Sequence, residues 1–457
     1  MTAIRNNSRL IVYGTGNTLA SITSDINDTS VIEETSTGYY LIKHSFGATL
    51  RLYTDAELTI GDPTDFSVAE TLAFENLSNA RARFEVYAGS KFHVYGNSTL
   101  ILATGSASHY CNTPLLKGEW LLSGSSDYPV TMWGFRQFQV SEAGSVIWNH
   151  VNVGKSSYRY NNMFRVNNAT GIIDVKNCNM NTGEGIIPLY DGRFLDQYND
   201  VFGKHVAFFD NCDFTKMKYP RSLSESCVKI SNSIFSVNDS NQSSTPNIEA
   251  NGFTWVSGST FTADSGSDTA YGFESSAGMN ILVEGCEFTW QPGTRMSRGL
   301  TNTGLDERLM FKDVSFASPS YEKYSNNSGY AASYVNRLTP TVVDITDSPI
   351  QGAKVVIAQI DGYESWTFET DSSGQINAFN YPWILATHYR KYGDYPNFLY
   401  DYKSDAVNGG GHSITVTASG YRPYNKTWYM SEDREIDILL IPLPKRHTNN
   451  SVYNKLA

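Results

Sequence analysis

The sequence predicts an all-β chain, a right-handed parallel β-helix followed by a small β-sandwich. Three observations carry that expectation. A strand-and-turn unit recurs between Val146 and Phe316, one position of it admits only residues that tolerate left-handed backbone, and after residue 325 the pattern changes to short strands joined by conventional turns.

The unit reads VIWNHVNV, IDVKNCNM, FFDNCDF, VKISNSIF, WVSGSTF, ILVEGCEF and LMFKDVSF, and its last residues lie 27, 34, 21, 26, 27 and 28 positions apart. That spacing suits one coil of a solenoid, in which each turn buries its apolar face against the next. The turn position holds His150, Asn177, Asn211, Asn232, Gly258, Gly285 and Asp313. Glycine lacks a Cβ, and Asn, Asp and His are enriched at positive φ, so a left-handed corner is expected in every coil. The next position holds Val151, Cys178, Cys212, Ser233, Ser259, Cys286 and Val314. Three of the five cysteines thus fall on one rung, where they are expected to be reduced, buried and to act as small core fillers.

Upstream, Ala48–Leu52, Phe84–Val86, Lys91–Val94 and Ser98–Leu102 alternate as strands, so coils are expected to begin near residue 40. The expected organisation is a cap or attachment segment at 1–40, the β-helix at 41–325, a polar linker at 326–337, a sandwich at 338–444 and a polar tail at 445–457. The repeat resembles the right-handed parallel β-helix superfamily that includes pectate lyases, polygalacturonases and many phage tailspikes.

In the C-terminal part the order Pro349-Ile350-Gln351-Gly352-Ala353-Lys354-Val355, Thr370-Asp371-Ser372-Ser373-Gly374 and Ala418-Ser419-Gly420-Tyr421 is distinctive. It resembles the carboxypeptidase-regulatory-like and related Ig-like sandwiches, and the resemblance implies a spacer, docking or carbohydrate-contacting module. An insertion from Tyr381 to Tyr402 is rich in tyrosine. Rigid aromatic rings give contact area at small entropic cost, so Tyr389, Tyr392, Tyr395 and Tyr400 are read as candidate binding residues. Trp255 and Trp290, with Tyr158 and Tyr160, are further exposed aromatics suited to stacking on sugars; packing within the protein is the competing explanation.

Enzymes of the β-helix superfamily carry N-x-D, D-D, G-H-G and R-x-K motifs or calcium-binding carboxylates. No Asp-Asp pair occurs here, and Gly411-His412 continues as Ser413. Val146-Ile147-Trp148-Asn149-His150 resembles a pectate-lyase stretch, with Asn149 where a carboxylate is expected; an amide is a poor substitute for an anionic calcium ligand. A glycosidase needs two carboxyls about 5–10 Å apart. Outward positions for such a pair include Asp210, Asp213, Asp239, Glu284 and Glu287. No catalytic residue, metal ligand set or cofactor site is assigned.

A net charge of −11 argues against nucleic acid as a partner, because phosphate binding needs clustered Lys and Arg. No apolar run is long enough to cross a bilayer as a helix, and the N-terminal residues do not read as a signal peptide. With these absences, the β-helix body and the appended module resemble phage structural proteins. The expected function is therefore a non-enzymatic virion component, a homotrimeric tail appendage or capsid decoration, whose partners are other virion proteins and, as a further candidate, a host-surface glycan. A polysaccharide-degrading tailspike-like lyase or glycosidase and a cell-surface adhesin are the alternatives.

Overall fold

A computed structural model describes residues 3–6, 9–43, 49–75, 83–104, 112–134, 138–141, 144–154, 164–167, 173–182, 205–214, 221–222, 227–237, 246–250, 253–263, 271–275, 280–289, 295–298, 308–316, 333–359, 365–376, 384–392, 399–401, 411–429 and 434–444. The main division between two compact units lies between Ala331 and Ala332.

The N-terminal unit is a parallel β-helix. Successive coils place one strand in each of three sheets, as in Thr49–Leu52, Glu57–Ile60 and Thr71–Glu75, followed by Arg83–Val86, Lys91–Tyr95 and Thr99–Thr104. Each strand pairs in parallel with its equivalent one coil away, for example Lys91–Tyr95 with Glu119–Ser123 residue for residue. The coils begin at Arg9 rather than near residue 40. Arg9–Val12, Asn17–Thr18 and Tyr39–Ile42 already pair in parallel with the second coil. The helix Leu19–Ile26 interrupts this first coil and hides it from a search for periodicity. Thr18 and Ser21 form a capping box at its start, Asn27 ends it at φ 44°, and Leu19 and Ile22 are buried.

From the fifth coil onward the middle and third sheets are joined by the two-residue corner found in the sequence. His150, Asn177, Asn211, Asn232, Gly258, Gly285 and Asp313 have φ between 49° and 58°. Their left-handed backbone aims each corner N–H along the helix axis. The N–H of His150 donates to Lys176 O, Asn177 to Asp210 O, Asn211 to Ser231 O, Asn232 to Ser257 O, Gly258 to Glu284 O and Gly285 to Lys312 O, at 2.8–3.1 Å. The same line continues upstream through Gly96 and Gly124, which donate to Ser123 O and Asn149 O. There the corners carry insertions such as 62–70 and 125–128, which separate the corner from the strand that follows and break the compact strand–corner–strand pattern in the sequence.

The rung beside the corner does more than fill space. The Cys212 N–H donates to Ser233 Oγ at 3.1 Å, Ser233 N–H to Ser259 Oγ at 3.0 Å and Ser259 N–H to Cys286 Sγ at 3.4 Å. Each of these side chains in turn donates to the carbonyl two residues before it: Ser233 to Ser231 O, Ser259 to Ser257 O and Cys286 to Glu284 O. A short side chain with a heteroatom at the γ position can meet both backbone groups, which explains why serine and cysteine share that rung from Cys178 to Cys286. Cys178, Cys212 and Cys286 are free and buried. Burial pushes the Cys286 thiol up to about 12 and, with a hydrogen bond to Cys212, raises that of Cys178 well above its ordinary value.

Inside the coils, Phe214, Phe235, Phe261 and Phe288 stack with neighbouring centroids 4.8–5.0 Å apart and rings within 8–10° of parallel. That distance is the strand spacing itself, so identical residues in register stack without strain. Nearer the N-terminus, Phe74, Phe84, Phe92, Trp120 and Trp148 fill the core through edge-to-face contacts instead.

The C-terminal unit has two sheets sharing one apolar core of Val342, Ile350, Ala353, Val355, Ile357, Ile376, Ile414, Val416, Ile438 and Leu440. One sheet is antiparallel in the order Ser365–Glu369, Lys354–Gln359, Gly411–Thr417, Tyr424–Tyr429. In the other, Ser333–Asp344 pairs in parallel with Arg434–Leu440 and antiparallel with Ile384–Tyr392. Ser333–Asp344 runs without a break from the expected linker into the unit. Polar residues mark the stretch before it as a linker in the sequence, whereas its pairing with two strands makes it part of the sheet. The motif residues have local tasks. Thr370 Oγ1 accepts from Ala353 N and donates to Ile350 O, Asp371 Oδ1 accepts from Ser373 and Gln375, and Gly374 (φ 74°) packs where a Cβ would strike Val342 O. The tail at 445–457 lies outside the described residues.

Replacing Gly285, where a Cβ would meet nothing within 4 Å, isolates the backbone cost of the corner. Gly285→Val should lower unfolding free energy by about 1–2 kcal/mol in urea titration, and Gly285→Asn by clearly less. Ser233→Ala should cost about 1–3 kcal/mol, because Cys212 N–H loses its acceptor in the interior. The three rung thiols should react with a disulfide reagent in the native protein far more slowly than in urea.

Hydrogen bonds from Ser373 hold the Asp371 carboxyl below its ordinary range, against a smaller opposing effect of burial. A lowered native value stabilises the fold above the unfolded-state pKa, and that contribution disappears as pH falls through the native one. Acid unfolding followed by circular dichroism should therefore become less steep in Asp371→Ala than in the parent.

Candidate functional site

The register of the coils keeps apart the candidate acids that share a column of the outer face. Asp210 pairs with Ser231, Ser231 with Ser257 and Ser257 with Glu284, so Asp210 and Glu284 stand three coils apart. Asp213 and Glu287 are separated in the same way, through Ile234 and Thr260. At about 4.8 Å per strand this is about 14 Å between backbones, beyond the 5–10 Å that flanks a glycosidic bond. Asp210 Oδ1 also accepts from Ser231 Oγ at 2.7 Å and from Asn232 Nδ2 at 2.8 Å. Asp239 lies outside the described residues.

The lyase-like stretch is absorbed by the fold. Val146 and Trp148 are core residues, and His150 forms the corner. Asn149 Oδ1 accepts from Asn177 Nδ2, whose own Oδ1 accepts from Asn211 Nδ2, giving a short amide ladder along the corner.

Among the aromatics chosen from sequence, Trp255 is half-buried on the outer face of the middle sheet. Lys229 Nζ lies 4.1 Å from its ring centroid, and its Nε1 donates to Glu284 Oε2 at 3.1 Å. The indole therefore ties neighbouring coils together through a cation–π contact and a charge-assisted hydrogen bond. Trp290, Tyr158, Tyr160 and Tyr395 lie outside the described residues, while Tyr389 and Tyr392 sit on Ile384–Tyr392 and Tyr400 on Leu399–Asp401.

Two outer clusters escaped the sequence reading. On the middle sheet, Glu119 Oε1 lies 2.7 Å from His93 Nε2, and the Tyr95 hydroxyl lies 3.3 Å from His93 Nδ1. A carboxylate only accepts, so Nε2 donates to Glu119. Burial, helped by the charges of Glu57 and Glu119, raises the Tyr95 pKa and keeps the phenol protonated. With His93 buried, the chain acts as a tether between coils.

The second cluster lies at the ends of first-sheet strands. Tyr13, Tyr53 and Tyr87 occupy equivalent places in three coils, with centroids 5.2 and 6.3 Å apart. Arg51 pairs with Glu85 through Nε and Nη2, both at 2.5 Å, and stands 5.0 Å from the Tyr87 centroid. The signal in the sequence is an apolar–tyrosine pair repeated as Val12-Tyr13, Leu52-Tyr53 and Val86-Tyr87, each followed by a left-handed Gly14, Asp55 or Gly89. Among the described residues no group of three His, Cys, Asp or Glu is placed to hold a metal ion.

No family model matches the chain, and no curated protein matches it. A solved structure of the periplasmic alginate epimerase AlgG, as a double mutant, is similar over 68% of this chain and 85% of its own, with a TM-score of 0.32 and 9% identity. At that distance neither substrate nor chemistry carries over.

Proposed function

We propose that the protein is a non-enzymatic structural component of a virus particle, a tail appendage or capsid decoration that braces neighbouring proteins or mediates attachment. The observation that supports the non-enzymatic reading is the spacing of the outward acids that share a column: the Asp210–Glu284 and Asp213–Glu287 pairs each stand three coils apart in the register. A body stabilised by repeated axial hydrogen bonds suits mechanical bracing. The C-terminal unit is read as an Ig-like docking module, a reading supported by its T-D-x-x-G turn and two-sheet core. In this reading the protein works as a homotrimer within the virion, beside other virion proteins.

Purified protein incubated with a panel of bacterial and algal polysaccharides should release no shorter chains by size-exclusion chromatography and reducing-end assay. Depolymerisation that is lost in Asp210→Asn or Glu284→Gln would overturn the proposal. Sedimentation of the free protein should give a trimer, and mass spectrometry of purified particles should find it beside capsid or tail proteins.

A further inference from the structure

The first-sheet corner does not by itself require tyrosine. The next coil holds Lys117 at the same place, with its N–H donating to Val86 O as Tyr87 N–H donates to Leu52 O. A corner that accepts lysine has no structural need for an aromatic ring, yet three consecutive coils present one. Tyr53, at the centre of the strip, keeps 46% of its surface exposed. Beside it, Arg51 and Glu85 are largely buried, at 15% and 18% side-chain exposure, so their ion pair is held in place.

We propose that Tyr13, Tyr53 and Tyr87, with the Arg51–Glu85 pair, form a binding strip for a neutral carbohydrate chain. The inference rests on the attachment reading above and gives it a site. A sugar ring combines an apolar C–H face with neighbouring hydroxyls that both donate and accept. The strip offers the matching pair of features, aromatic surface and a fixed donor–acceptor pair. Charge selects among ligands. Arg51 is neutralised by Glu85 and the chain carries −11 overall, which disfavours an anionic glycan. It also disfavours single-stranded nucleic acid, whose bases stack on tyrosine but whose phosphates need surplus cations.

The test applies the full chain to an immobilised panel of neutral hexose and N-acetylhexosamine oligosaccharides, with a single-stranded oligonucleotide as comparison. At least one neutral chain should bind, Tyr53→Ala should weaken binding about tenfold or more, and Tyr53→Phe should retain most of it. Tyr53→Leu keeps apolar bulk without the ring, so its loss of binding with an unchanged melting temperature separates recognition from folding. The proposal is overturned if no neutral oligosaccharide binds, if Tyr53→Ala binds like the parent, if only the oligonucleotide binds, or if Tyr53→Ala changes oligomeric state instead. Failure here leaves the non-enzymatic reading intact, whereas polysaccharide cleavage with Tyr53-dependent binding would remove that reading and keep the strip.

Discussion

The N-terminal unit depends on the left-handed corner between its middle and third sheets. At that point the chain leaves one sheet within two residues, and the strand ladders cannot satisfy the backbone groups caught in the bend. The left-handed residue turns its N–H toward a carbonyl of the next coil, and the neighbouring serine or cysteine supplies a second acceptor and donor. Because the corner recurs from the fifth coil onward, adjacent strands there are fixed in one register. The stacked phenylalanines follow from that register, since equivalent side chains then lie one strand spacing apart.

The same register governs what the outer surface can do. Residues at one position of every coil form a column, and their separation is a multiple of the strand spacing. Trp255 reaches Lys229 and Glu284 because they lie on neighbouring coils, and Glu119 reaches His93 for the same reason. Asp210 and Glu284 belong to one column but to distant coils, which keeps them from meeting. Acids that share a column can act together only from neighbouring coils, whereas recognition needs only a run of similar side chains. The tyrosine strip is such a run.

The C-terminal unit solves its turns differently. Asp344 and Asp371 each accept hydrogen bonds from a hydroxyl residue two positions on, and both carboxyls are held below their ordinary range by those bonds. Asp28, Asp62 and Asp65 build the same turn in the β-helix unit. The short pattern Asp-x-Ser or Asp-x-Thr thus supplies loop order in both units.

The sequence by itself determined the coil, its corner residues and its cysteine–serine rung, because each is a local requirement that recurs at nearly constant spacing. It also marked the turns of the C-terminal unit, where a threonine, an aspartate and a glycine each serve a neighbouring backbone. Tertiary structure decided the rest. The first coil was hidden by a helix, and later ones by corner insertions that part the paired strands without changing the register. The partners of Trp255, the His93 tether and the tyrosine strip join residues 26 to 40 positions apart. Which residue meets which across such a distance is set by the pairing of coils, and that pairing is a property of the folded solenoid.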